Sequence, residues 1–443
     1  MIDSFTLASI LIAASGLYVS RYLWRSHRAK SDALPLPPSP RHWPIIGNVL
    51  SMPTKDVHLG FIELGKQLES NIFWLETFGV KMVVLNSYED ATNLLERRSS
   101  IYSDRVCSAM VKEPSLTSAA TLTSSIYGYS LESSNDPFVF DIKTATDNIT
   151  KATMPSSMIV LVHLPEWFPG VTWKRQARVW REQKNLAVNK AYMWTKAQLD
   201  QGNDEGSIIA SWLAQGSELG FDSKELEYHI KLQAASLFIG GAETTSKVVL
   251  TFVMAMLLFP EVQKRAQLEI DLVTSSSRLP TMEDRPKLEY VGRLVHEALR
   301  WCPVLPGGVP HASSQDDFYK GYHIPRGTII YPNVWAMSRD PDIYRDPQLF
   351  NPDRFLDPNL PTPPAFGFGR RACPGLYYGH ASLFIIIASI LASFDILPIK
   401  DEHSKDVLPT FENTGHLTFD PKPFKVKFAR RSQLHEELIK MSV

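Results

Sequence analysis

Cysteine is scarce in this 443-residue chain: Cys107, Cys302 and Cys373 are all it has. Three thiols cannot build a disulfide framework, and so few in so long a chain fit a reducing compartment. No Cys/His cluster has the spacing of a metal site, so a bound metal would have to arrive inside a cofactor. Charge of one sign is missing too. The 46 basic and 47 acidic residues leave a formal net charge of −1, without the basic footprint of a nucleic-acid-binding protein. No internal repeat is present. Apolar material is plentiful: 44% of residues are hydrophobic, and 22 Phe, 15 Tyr and 10 Trp can fill a large core. The length allows one large domain or two or three smaller ones.

Residues 1–30 stand apart. Phe5 to Leu23 is mostly apolar, with Arg21, Arg25, Arg28 and Lys30 at and beyond its end and only Asp3 before it. A bilayer span needs about 20 such residues. A cleaved signal peptide normally opens with positive charge, which is absent here, so the run reads as an anchor. The positive-inside rule then puts the N-terminus in a lumen and the body in the cytosol. On that reading the sequon Asn148-Ile149-Thr150 faces the cytosol and stays bare. Residues 31–48 carry Pro35, Pro37, Pro38, Pro40 and Pro44, the composition of a stiff, extended spacer. Residues 49–443 are left as the globular body.

Within the body, "NIFWLETF" and "KMVVLNS" flank Gly79 and predict a hairpin, with a short helix from Tyr88 to Arg97. Asp222 or Ser223 can cap a helix running to about Phe259, where Pro260 interrupts. About 37 residues make it about 55 Å long, and its apolar middle predicts a path through the interior. There it carries "GGAETTS". Gly240 and Gly241 each weaken a helix by about 1 kcal/mol, so the pair marks a place where something approaches the backbone closely. Further helices are predicted to about Val273, from Leu288 to Trp301 and from Gly375 to Phe394. Short strands are predicted at 318–322 and 328–332, and a Pro-rich irregular stretch at 338–364. The body is therefore mainly α with small β-sheets.

The stretch "FGFGRRACPG", Phe366 to Gly375, carries the chemistry. Gly367, Gly369 and Ala372 satisfy the spacing of a dinucleotide-binding fingerprint, with Asp395 downstream. That motif needs a strand before it, and "DPNLPTPPA" cannot be a central parallel strand because prolines donate no ladder hydrogen bond. Read otherwise, the loop presents Cys373 just ahead of a helix, with Pro374 able to open its first turn. A helix N-terminus and the neighbouring Arg370 and Arg371 favour a thiolate, which can act as a nucleophile, serve as a metal ligand or simply be buried. Cys302 reads as packed. Lys174, Arg175, Arg178, Arg181 and Lys184 read as a solvated helix face, or as a lipid-headgroup contact together with Trp167 and Phe168.

Phe366–Gly375 resembles the haem-binding loop of cytochrome P-450 monooxygenases. Three further motifs resemble that family in the same order. Gly240-Gly241-Ala242-Glu243-Thr244-Thr245 looks like its oxygen-activation motif, and Glu297-Ala298-Leu299-Arg300 like its E-x-x-R. Asn351-Pro352-Asp353-Arg354-Phe355 looks like its P-x-R-F element. With the anchor and hinge, the likeness runs to about Ile399 and is greatest to fungal microsomal members. It implies the cytochrome P-450 fold, haem b as cofactor and Cys373 as the axial ligand of its iron. A thiolate there favours O–O bond cleavage. The resemblance also implies Thr244 and Glu243 as a proton relay, and Gly240 and Gly241 as the thinned helix face over the haem. Phe366 and Gly367 would lie in the haem loop, and Arg371 and His311 would pair with propionates, although His311 also reads as an ordinary loop histidine. Glu297, Arg300 and Arg354 would form a buried ion-pair network.

The implied reaction inserts one oxygen atom from O2 into a small apolar organic substrate. Electrons would come from an NADPH-dependent reductase at the endoplasmic reticulum membrane. The chain departs from the family after "IYSDR" (Ile101 to Arg105). Family members place there a helix bearing a Trp-x-x-x-Arg pattern, but no Trp occurs between Trp74 and Trp167. Several tens of residues are missing near 106–120. A truncated, impaired homologue and a haem-thiolate enzyme of redox-neutral rearrangement are the alternatives. A dinucleotide-dependent oxidoreductase comes last.

Overall fold

The computed structural model describes residues 34–105, 125–129, 172–203, 206–216, 220, 222–413, 417–435 and 437. The expected anchor at 1–30, the sequon and the segment at 106–120 lie outside the described residues. In the described part of the proline-rich stretch, residues 34–42 form no helix or strand, and the chain then turns at 43–48, where Trp43 and Gly47 exchange backbone hydrogen bonds. It does not stand free, because the Pro35 and Pro38 carbonyls accept the N–H groups of His323 and Trp74 at 2.8 Å each.

Helix α1 (Val57–Gln67) precedes the expected hairpin, β1 (Ile72–Thr77) and β2 (Val80–Leu85), which pair antiparallel from Ile72↔Leu85 to Thr77↔Val80. The helix expected at 88–97 changes type midway. Helix α2 (Tyr88–Ala91) is capped by the Ser87 side chain and passes into a π turn over Thr92–Arg97. Then come α3 (Thr172–Asp200), α4 (Ile208–Gln215) and the long α5 (Ser223–Leu258). The cap of α5 is the one expected: the Asp222 carboxylate accepts from the Lys224 and Glu225 N–H groups. Pro260 opens α6 (Pro260–Thr274), and α7 (Glu289–Trp301) follows.

Strand β3 (His311–Ala312) leads to β4 (Asp317–Tyr319), β5 (Tyr322–Ile324) and β6 (Ile329–Pro332). The single strand expected at 318–322 is thus a hairpin. Lys320 and Gly321 both have positive φ, 48° and 80°, and turn the chain between β4 and β5. One four-stranded sheet has the order β1-β2-β6-β3, with β2 and β6 parallel. The short α8 (Val334–Met337) was not expected. The stretch beyond it is irregular apart from 3-10 turns. Helix α9 (Leu376–Ser393) feeds β7 (Phe394–Lys400), which pairs with β8 (Asp406–Val407) and β9 (Val426–Arg430).

Side chains of α5, α6, α7 and α9 fill the main core, including Phe252, Met256, Leu294, Phe384 and Ile387. Helix α9 is long and apolar enough to cross a membrane, but it packs into this core. The basic run on α3 is not wholly solvated. Arg175, Arg178 and Arg181 are exposed, whereas Lys184 is buried. Nine residues are two and a half turns, so Lys184 lies on the face opposite Arg175.

Candidate cofactor site

The cysteine loop is two tight turns held against the π turn. A 3-10 turn over Pro364–Phe366 ends at Gly367, whose φ of 77° a side chain would resist. A second covers Gly369–Arg371. Gly369 has φ 51°, and a Cβ there would come 2.5 Å from the Leu95 carbonyl oxygen, so only glycine lets the loop press on the π turn. The Cys373 N–H donates to the Phe366 carbonyl at 2.7 Å, and the Leu376 N–H to the Cys373 carbonyl at 3.2 Å. The thiol of Cys373 is exposed ahead of α9. Pro374 does not open the helix, because Gly375 is its N-cap and Leu376 its first residue. The dinucleotide reading fails on geometry: a 3-10 turn, not a strand, precedes the glycines.

Two arginines and a buried histidine gather beside the loop without acids. The Arg371 Nε donates to the Ser103 carbonyl at 2.7 Å. Arg105 donates through Nη1 to the Val309 and Pro310 carbonyls. His311, buried on β3, has Nδ1 2.7 Å from the Tyr102 carbonyl oxygen. Burial, with Arg105 and then Arg371 adding repulsion, lowers the His311 pKa to about 4. Burial and Arg371 lower Arg105 to about 10. Among the described residues none of the three has a carboxylate partner.

On α5, a Cβ at Gly240 would meet nothing within 4 Å. The Thr244 and Thr245 hydroxyls donate back to the Gly240 and Gly241 carbonyls at 2.5 and 2.6 Å. Glu243 lies between these glycines and Thr244; its side chain is outside what the structure describes. The E-x-x-R and P-x-R-F residues converge on one carboxylate. Glu297 takes Arg300 Nε and Nη2 at 2.7 and 2.8 Å, and Arg354 Nε at 3.0 and 3.1 Å. The Asn351 N–H completes its shell at 2.8 Å. The remaining guanidinium donors reach the Ser338, Pro347, Leu349 and Arg345 carbonyls. Cys302 is buried beside them, and burial pushes its thiol pKa up, so it is not the reactive cysteine.

Cys373, Phe366, Gly367 and Arg371 therefore share one loop. His311 and Arg371 reach the adjacent carbonyls of Tyr102 and Ser103, and Gly240, Gly241 and Thr244 lie on α5, which packs against α9. Arg105 is the member that motif reading missed. It ends "IYSDR", and nothing in that stretch alone says that it meets Arg371.

An exposed cysteine ahead of a core helix, beside two arginines that have no carboxylate partner among the described residues, is an arrangement that can hold an acidic cofactor through sulfur. The model of the family Cytochrome P450 matches residues 114–428, and the chain belongs to that family. It is 33% identical to cytochrome P450 monooxygenase 208 of Postia placenta, covering 97% of each chain. It is 32% identical to a cytochrome P450 monooxygenase of Armillaria gallica over 99% of each, and to monooxygenase claR of Ampulloclitocybe clavipes over 96% of this chain and 91% of that one. The mainly helical fold with small sheets agrees with this membership. The alignment with monooxygenase 208 spans 504 positions against 443 residues, so at least 61 positions of that relative face no residue here.

The haem that the family implies carries two carboxylates and an iron. The residues present fit it, since Arg105 and Arg371 supply charged donors without acids, His311 can join them once a carboxylate draws a second proton onto its ring, and Cys373 supplies a thiol clear of the core.

Proposed function

We propose that this chain is a haem-thiolate monooxygenase that inserts one oxygen atom from O2 into a small apolar organic compound. The observation that carries the reading is the juxtaposition of the exposed Cys373 with the acid-free cluster of Arg105, Arg371 and His311. Bound there, haem b supplies the oxygen chemistry. Cys373 would hold the iron as a thiolate, and Arg105 and Arg371, with His311 once protonated, would hold the propionates. Gly240 and Gly241 would leave room on α5 for the cofactor and O2. The Thr244 Oγ1, whose own proton goes to a helix carbonyl, would accept from a water and pass protons with Glu243. Glu297, Arg300 and Arg354 hold the α7 end in place beneath the loop.

Electrons would come from a separate NADPH-dependent reductase. Residues 1–30 would anchor the chain in the endoplasmic reticulum membrane, residues 31–48 would link the anchor to the body, and residues 49–443 would face the cytosol. The internal shortening would lie near 106–120, after Arg105. Thr244 and Glu243 favour oxygen activation over redox-neutral rearrangement, which has no use for a proton relay. The test uses membranes holding the full chain and an NADPH-dependent reductase, supplied with apolar candidates under 18O2. Product carrying one 18O, dependent on NADPH and lost in Thr244→Val, supports the reading. Product formed without NADPH would establish the rearrangement, and a full chain that takes up no haem would establish the impaired homologue.

A further inference from the structure

Behind the cysteine loop runs a column of four aromatic rings drawn from three parts of the fold. Phe355, next to Arg354, lies 5.5 Å from His296 between ring centroids. His296, next to Glu297 on α7, lies 5.1 Å from His380 on α9. His380 lies 4.9 Å from Phe366 with the ring planes 38° apart. Phe366 is the residue whose carbonyl engages the Cys373 N–H at 2.7 Å. On its other side the Phe366 ring meets Gly379, where a Cβ would come within 3.1 Å of it. Among the described residues neither imidazole makes a hydrogen bond, so tilted ring-on-ring packing, with planes 38–49° apart, fixes where these rings sit. Burial lowers the pKa of His380 to about 4, with His296 and Arg285 adding to the effect; burial and Arg285 lower His296. The column is therefore neutral at physiological pH.

We propose that His380 is a positioning residue for the cysteine ligand: backed by His296 and Phe355, it holds Phe366 and so keeps closed the turn in which the Cys373 N–H donates to the Phe366 carbonyl, with water kept from the sulfur. The proposal rests on the haem-thiolate reading. Hydrogen bonds to a ligating sulfur and solvent near it raise the reduction potential of the iron, because both draw electron density off the thiolate. A water that reaches the sulfur does both at once, and releasing Phe366 opens a path for it past Gly379.

The experiment is a spectroelectrochemical titration of the haem-loaded full chain, with a thermal melt of each sample. The variants are His380→Ala, His380→Leu and His380→Phe. Leucine keeps bulk without a ring, and phenylalanine keeps a ring without a polar atom. The potential is expected to move positive in His380→Leu and further in His380→Ala, with His380→Phe near wild type. His296→Ala, one ring further back, is expected to move it the same way by less. If the melting temperatures fall while the potentials of the Leu and Phe variants stay together, His380 is merely structural and the proposal is overturned. Absence of the red-shifted CO band from the wild type would overturn the haem-thiolate reading, and this proposal with it.

Discussion

Replacing Glu297 with Gln tests how much the body depends on one carboxylate. Glu297 and Arg300 are fully buried and Arg354 nearly so, and both arginines turn to the same two oxygens. Glutamine keeps the volume but removes the charge, leaving two guanidinium groups in the core around a neutral amide. Breaking such a buried pair from one side costs about 3–5 kcal/mol. That is a large part of the ~5–15 kcal/mol that holds a folded domain together. With a urea slope of about 3 kcal/mol per molar, the midpoint should drop by about 1–1.7 M. Tryptophan fluorescence can follow unfolding, since Trp301 and Trp335 are buried in or beside this region. Glu289→Gln is the control. Its carboxylate is 77% exposed and 3.8 Å from Arg293, so the midpoint should barely move. A Glu297→Gln midpoint within about 0.3 M of wild type, at unchanged slope, would refute the reasoning.

Three other outcomes are expected. Gly369→Ala should fold, because the clash lies at the loop's contact with Leu95, but it should take up far less haem, read as haem per protein. Thr244→Ala should still consume NADPH but yield at least about tenfold less product per NADPH, at the mild end of losses of a proton donor, with Thr244→Ser in between. His58, His311 and His380 each have a folded-state pKa lowered to about 4, chiefly by burial. The unfolded chain therefore binds more protons than the folded one between about pH 4 and 6.5, and their contribution to stability, full above that range, is lost as the pH falls through it. The melting temperature at pH 5 should be below that at pH 7.5, and an unchanged or higher value would contradict it.

Local signals made much of the frame legible. Asp222 as a cap and Pro260 as a stop bounded α5 to within a residue, because both act on the backbone next to them. The β4–β5 hairpin was hidden because Lys320, the first residue of its turn, is not a usual positive-φ residue, so the run read as one strand. The cysteine loop was legible as a motif, yet the need for glycine at 369 comes from Leu95, distant in sequence. Arg105 and the ring column were beyond reading. Their partners come from separate elements, and no periodicity in one segment records a contact with another. Lys184 shows the converse, since a run of basic residues at helical spacing still turns one member inward.

The central claim is that Cys373 ligates haem iron in a chain shortened near Arg105. The reduced, carbon-monoxide-bound difference spectrum of the full chain in membranes, beside Cys373→Ala, tests it most directly. A strongly red-shifted Soret band in the wild type, lost in the variant at equal expression, is the predicted result. Confirmed expression with no such band, or a band that survives in Cys373→Ala, would contradict the account.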